Sequence, residues 1–191
     1  MIWYNILCVG DSQTFGARTY GCYPMYLAKL MREKWQIEYR TINRSVNGYT
    51  ARDLWFKVNE EIDSITDTTI ACIMIGTNDV RKQTTLYLFK EYVRQILLAF
   101  KIKGYMQIYV GSIPPIVDNG VDPYYPNESV KNRYVYQDVL HAVVEEMNCT
   151  LVEFTDMRSD DYIDSVHFSE SGNKKVANAF AQSMERRFTG R

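Results

Sequence analysis

Histidine is the scarcest reactive side chain here: 191 residues hold only two, His141 and His167. Any chemistry that needs an imidazole base has two candidates. Cysteine is nearly as sparse. Cys8, Cys22, Cys72 and Cys149 form no CxxC pair and no regular framework, so neither a disulfide scaffold nor a zinc site has the spacing it needs. Cationic surplus is missing too. Lys and Arg number 22 against 23 Asp and Glu, a net charge of -1. That balance argues against nucleic acid as the main partner, because phosphate binding needs excess positive charge. No apolar run approaches the roughly 20 residues of a membrane helix. The start, Met1-Ile2-Trp3-Tyr4-Asn5, lacks the basic n-region of a signal peptide. A soluble cytoplasmic protein without a membrane span is the expectation, and the sequons at Asn43, Asn127 and Asn148 are read as chance.

What remains is globular. Hydrophobic residues make up 46% and charged residues 24%, enough to bury a core without staples. The length predicts a single domain over 1–191. Ile2 to Val9 is a short apolar run closed by Gly10, which reads as a buried strand. Ile37 to Ile42 alternates apolar and polar residues, as in a strand nearer the sheet edge. Thr69 to Ile75, Tyr105 to Val110 and Leu151 to Phe154 are three further strands. Helical spacing separates them: Tyr23 to Met31, Leu54 to Ile65, Leu86 to Phe100 with Gly104 as its stop, Val130 to Met147, and Val176 to Phe188. Strict alternation predicts an α/β fold, a parallel sheet with helices on both faces. Such sheets bind ligands in the loops after their strands.

Four segments stand out, three of them directly after a strand: Gly10-Asp11-Ser12-Gln13-Thr14-Phe15-Gly16, Asn43-Arg44-Ser45-Val46-Asn47-Gly48, Gly76-Thr77-Asn78-Asp79 and Asp164-Ser165-Val166-His167. Ser12 sits between strand and helix, where glycines permit a sharp bend and backbone N–H groups point outward. A serine hydroxyl is a weak nucleophile until a base takes its proton. His167 can be that base. Asp164, three residues earlier, can reach its Nδ1 and fix the tautomer. The Asn78 amide, the Gly48 N–H and the Ser12 N–H can together stabilise an oxyanion, at about 3–4 kcal/mol for one such donor. Each segment also has a plain structural reading. Gly-x-Ser is common in turns, Asn78 can cap one, Gly48 can simply turn the chain, and Asp164 with His167 can be a local hydrogen bond before a helix. The Ser12 turn is neither a Gly-x-Ser-x-Gly elbow, since Thr14 holds the last glycine position, nor a Walker loop. His141, among Val139, Leu140, Ala142 and Val143, reads as structural. The catalytic reading rests on conjunction: all four segments fall on one side of one sheet.

These residues resemble the SGNH hydrolases, also called the GDSL family. Gly10-Asp11-Ser12-Gln13 is similar to the first block, Asn43 to Gly48 to the second, Gly76-Thr77-Asn78-Asp79 to the third and Asp164-x-x-His167 to the last, in the family's order. The resemblance implies a three-layer α/β/α sandwich around a five-stranded parallel sheet, flavodoxin-like in outline. It implies Ser12 as nucleophile, His167 as base, Asp164 as its orienting carboxylate, and an oxyanion hole from Ser12, Gly48 and Asn78. It implies no metal and no organic cofactor. Gln13 replaces the usual leucine, and Ser45 stands where many members have glycine.

The family acts on acetylated sugars, lysophospholipids, thioesters and aryl esters. The small chain carries no long apolar insertion to bury a lipid tail, so a short acyl group, acetyl above all, on a carbohydrate or small alcohol is the expected substrate. Tyr124 and Tyr125, in the loop Ile116 to Ser129, are candidate substrate-binding residues that otherwise only stiffen the loop. Alternatives are a lysophospholipase or thioesterase of the family, a non-catalytic carbohydrate-binding relative, and a nucleotide-binding domain of flavodoxin type. The last leaves Asn78 and the Asp164–His167 pair unexplained. Oligomeric state is left open.

Overall fold

The computed structural model describes residues 4–36, 39–63, 65, 68–117 and 127–189. Five parallel strands form one sheet: β1 (Tyr4–Gly10), β2 (Tyr39–Asn43), β3 (Thr68–Met74), β4 (Gln107–Gly111) and β5 (Thr150–Val152), in the order β2-β1-β3-β4-β5. The seven helices among the described residues are α1 (Ser12–Phe15), α2 (Tyr23–Trp35), α3 (Ala51–Asp63), α4 (Thr77–Lys82), α5 (Leu86–Ile102), α6 (Asn127–Glu146) and α7 (Glu170–Thr189). A 3₁₀ turn, Ser159–Asp161, precedes α7.

The two-residue period of a strand decides which layer each side chain joins. Leu7 and Val9 of β1, with Ala71 and Ile73 of β3, pack against α3, α5 and α6 through Leu54, Val58, Phe89, Leu97 and Leu140. Ile6, Cys8, Cys72 and Met74 point the other way, onto α2 and α7 through Tyr23, Leu27, Val176 and Phe180. Tyr23 and Phe180 stack there with ring centroids 4.9 Å apart. The result is the three-layer sandwich. Truncating one of these fully buried aliphatic side chains to alanine costs about 2–5 kcal/mol. The expected strands are all present, within a few residues of their expected ends, and β2 is the edge strand that its alternation suggested.

The chain runs from β1 outward to β2, then crosses back to β3 on the other side of β1. That reversal leaves a crevice beyond the C-terminal ends of β1 and β3, the place where open α/β sheets hold ligands. Gly10 closes β1 at this point. A Cβ there would lie 2.1 Å from the Met74 carbonyl oxygen, so only glycine lets the two strand ends approach this closely. Among the described residues no helix is long and apolar enough to cross a membrane.

Candidate active site

The turn after β1 does not run straight into a long helix. It forms α1, four residues capped by Asp11, whose carboxylate accepts the Gln13 N–H at 3.0 Å. Ser12 is the first residue of that helix, so its N–H has no helical acceptor and its side chain opens outward. Asp11 is fully buried. Burial pushes its carboxyl up to about 7, against the Gln13 N–H, and the charge of Asp79 adds to the rise.

Ser12 meets a loop 155 positions away. The hydroxyl lies 3.0 Å from His167 Nε2, and His167 Nδ1 lies 2.8 Å from Asp164 Oδ2. An imidazole so placed is within reach of the hydroxyl proton. The second carboxylate oxygen of Asp164 accepts the backbone N–H groups of Val166 at 2.9 Å and His167 at 2.7 Å. Burial pushes the Asp164 carboxyl up, but these donors and the imidazole outweigh it and hold it below its ordinary range. The loop is fixed because its own carboxylate ties it.

Two other loops close the site. Thr50 and Asp53 cap α3 reciprocally: Asp53 Oδ2 accepts the Thr50 N–H at 2.9 Å and its hydroxyl at 2.6 Å, while Thr50 Oγ1 accepts the Asp53 N–H at 3.3 Å. Asp79, from the turn after β3, accepts the Ala51 N–H at 2.8 Å, and burial pushes its carboxyl up to about 6. Asn78 Nδ2 donates to the Tyr49 carbonyl at 3.0 Å. One amide hydrogen is thereby spent on orienting the side chain, and the other is available to the cleft. Gly48 has φ +81 and an exposed backbone with open space around it. Left-handed backbone suits glycine, and its missing side chain leaves room beside the N–H.

Ser12, Gly48, Asn78 and His167 line one cleft of about 790 Å³, together with Phe15, Arg18, Tyr20 and Arg81. The sequence matches the model of the GDSL-like lipase/acylhydrolase family over residues 8–175. The chain belongs to that family. As an acylhydrolase it is a carboxylic ester hydrolase. No curated protein matches it in sequence. Solved structures match its fold. Axe2, an acetylxylan esterase from Geobacillus stearothermophilus, superposes with a TM-score of 0.76 at 23% identity, covering 94% of this chain and 93% of that one. LAE5, an alpha/beta hydrolase enzyme from the metagenome of Lake Arreo, Spain, does so at 0.74 and 21%, covering 95% and 94%. TesA gives 0.76 at 15%, covering 95% and 98%.

Of the residues singled out in the acylhydrolase sequence, the structure brings Ser12, Asp164 and His167 into one hydrogen-bonded relay, with Gly48 and Asn78 on the same cleft. Tyr124 and Tyr125 lie outside the described residues. The contacts of two side chains were not readable in the sequence. Gln13, which stands where leucine is usual, is buried. Its Nε2 donates to the Val166 carbonyl at 2.8 Å and its Oε1 accepts the Thr77 hydroxyl at 3.0 Å. Arg18 donates to Asp164 Oδ2 at 2.6 Å. Ser45, the other departure, turns back on its own loop, donating through its N–H to Asn43 Oδ1 at 3.1 Å. Among the described residues no three His, Cys, Asp or Glu side chains cluster as metal ligands.

Proposed function

We propose that the protein hydrolyses esters of short acyl groups, acetyl above all, carried by a carbohydrate or small alcohol. The carrying observation is the relay of Asp164, His167 and Ser12, with links of 2.8 and 3.0 Å, opening on a cleft with exposed Phe15 and Tyr20 in its wall. Ser12 Oγ attacks the acyl carbon while His167 Nε2 takes the hydroxyl proton. Asp164 stabilises the imidazolium formed. The tetrahedral oxyanion is met by the N–H groups of Ser12 and Gly48 and the free amide hydrogen of Asn78. Imidazolium then gives its proton to the departing alcohol oxygen, and the acyl group stays on Ser12. A water molecule, deprotonated by His167, repeats the attack and releases the acid.

The short acyl group is supported by the openness of the cleft wall, where Arg18, Thr19 and Asn47 stand among the lining residues rather than a continuous apolar surface. Aromatic faces such as Phe15 and Tyr20 suit a sugar ring. The acetylxylan esterase that shares the fold agrees with this choice.

The test is a series of p-nitrophenyl esters from acetate to decanoate, with acetylated xylo-oligosaccharides alongside. Turnover is expected to peak at acetate and fall beyond butyrate; a preference for decanoate would remove the short-acyl reading. A fluorophosphonate probe is expected to label the protein and to lose its target in Ser12→Ala. Folded protein that takes no label would favour a binding role instead.

A further inference from the structure

We propose that Arg18 is a positioning residue that sets the acid limit of the hydrolase, by neutralising Asp164 beside His167 and so weakening the carboxylate's hold on the imidazolium. The inference rests on the relay proposed above.

The geometry is specific. Arg18 and Asp164 are 146 positions apart, yet the guanidinium reaches Oδ2 at 2.6 Å, the same oxygen that faces His167 Nδ1 at 2.8 Å. With both backbone N–H groups on Oδ1, the carboxylate is surrounded by four donors, its full capacity. The Asp164 side chain is 2% exposed, whereas that of Arg18 is 57% exposed along the cleft wall. Arg18 also adopts φ +66, a left-handed backbone uncommon outside glycine. The short loop between α1 and α2 is bent so that this side chain turns inward over the cleft.

Two cations on one carboxylate oxygen compete. When His167 is neutral, Arg18 and Asp164 form a balanced pair. When His167 takes a proton, its charge meets a carboxylate already compensated. The imidazolium is therefore less favoured than it would be beside Asp164 alone. Hydrolysis needs the neutral imidazole, so Arg18 extends activity toward lower pH while its hydrogen bond holds the carboxylate in place. The other charged groups around the pair come from several elements. Arg81 of α4 lies across the same cleft. Asp11, next to Ser12, and Asp79, on α4, are both buried. On the loop of His167 itself, Asp161 is bound to Lys175 of α7 at 2.6 Å, and Asp160 is exposed. Arg133 of α6 donates to the Ile113 carbonyl at 2.6 Å. Arg18 shares the hydrogen-bonded Oδ2 of Asp164 with His167.

The experiment is the pH profile of kcat/KM on p-nitrophenyl acetate for the wild type and for Arg18→Lys, Arg18→Met and Arg18→Glu, each normalised to folded protein. Arg18→Met is expected to raise the acid limb by about half to one pH unit. Below the limb this reads as roughly a three- to tenfold loss, which shrinks toward high pH. Arg18→Lys keeps the wild-type limb, and Arg18→Glu raises it further. Arg18 is half-exposed, so its substitutions are expected to leave the fold intact, and the melting temperature of each variant checks this. A limb that stays at one pH through the whole series, or a loss equal at every pH, would overturn the proposal and leave Arg18 a structural contact. Should Ser12→Ala or His167→Ala retain turnover, the relay itself is wrong, which is a different result.

Discussion

The protein holds two histidine–carboxylate pairs, and only one is built as a site. His167 presents Nδ1 to Asp164 at 2.8 Å and Nε2 to Ser12 at 3.0 Å, with the carboxylate 2% exposed. His141, on α6, presents a single nitrogen to two partners: the Gln137 amide at 2.6 Å and Glu153 Oε1 at 3.2 Å, the latter 45% exposed. The residue types are nearly the same. The difference lies in what each ring nitrogen does. His167 is oriented through one nitrogen and keeps the other for a hydroxyl on a cleft. His141 accepts from Gln137 on the nitrogen that also faces Glu153, so the carboxylate attracts it only after protonation. Among the described residues no serine, threonine or cysteine side chain is hydrogen-bonded to it. A histidine near a carboxylate is thus a weak signal, and one oriented by a buried carboxylate toward a hydroxyl is a strong one.

The largest expected effect separates the pairs outright. His167→Ala should lower kcat on p-nitrophenyl acetate by about 10⁴-fold or more, as loss of a relay member does elsewhere, with a small change in melting temperature. Equal losses from His167→Ala and His141→Ala would falsify the assignment of the base.

Asp164→Asn comes next, with an expected loss of about 10³–10⁴-fold in kcat, because an amide favours the wrong tautomer of His167. Glu153→Gln should leave kcat unchanged. Asp164 also carries a pH signature in stability. Its folded carboxyl is held below the unfolded value of 3.8, so its contribution is present above that pH and is lost as pH falls through the lower folded value. The stability gap between wild type and Asp164→Asn should therefore be widest near neutral pH and close in strong acid. Chemical denaturation at pH 3 and pH 7 reads this; a gap that widens in acid contradicts it.

How much of this was legible beforehand depends on range. Strands and long helices follow from local periodicity, so β1 to β5 and the helices between them were readable from Leu7, Val58, Leu97 and their spaced neighbours. The short elements were not. The helix α1 exists because Asp11 caps four residues, and α4 because Gly76 turns into Thr77-Asn78-Asp79, too few residues for a period to show. The order β2-β1-β3-β4-β5 has no local signal beyond the alternation that put β2 near an edge. In the site, Ser12, Gly48, Asn78, Asp164 and His167 were visible because their motifs are short and contiguous. Gln13 was visible only as a departure from leucine, and Arg18 not at all, since its meaning is a contact 146 positions away. Tertiary contacts of single polar side chains leave no pattern to count.

Each histidine also has a supporting glutamine, and these make a finer test. Gln13 bridges the Val166 carbonyl, beside His167, to the Thr77 hydroxyl, beside Asn78. It therefore links the loop of the proposed base to the loop of the proposed oxyanion donor. Gln137 accepts the Ile113 N–H at 2.7 Å and donates to His141, which links nothing to the cleft. Leucine at either position leaves buried polar groups unpaired, at a stability cost of about 1–3 kcal/mol. Only Gln13→Leu should also cost turnover, about tenfold in kcat with KM little changed, since misplacing a reacting group is more costly than loosening a scaffold. A Gln137→Leu variant that lost the same turnover would mean that both act through global stability alone.

The smallest effect is expected from His141→Ala. Its ring is partly exposed, and the Glu153 contact is an ion pair only when the imidazole is charged. Exposed pairs of this kind contribute about 0–1 kcal/mol, and the Gln137 amide can turn to water when the ring is removed. The helix itself gains a residue of better propensity, which offsets part of the loss. Thermal melting should therefore shift by no more than about 2–4 °C for a chain of this size, and kcat should stay within about twofold of wild type. A larger fall in melting temperature with normal kcat would show that Gln137, and with it the Ile113 turn after β4, depends on the imidazole for its orientation. Normal melting with a large fall in kcat would connect His141 to the cleft, a link that the distances around Ser12 give no reason to expect.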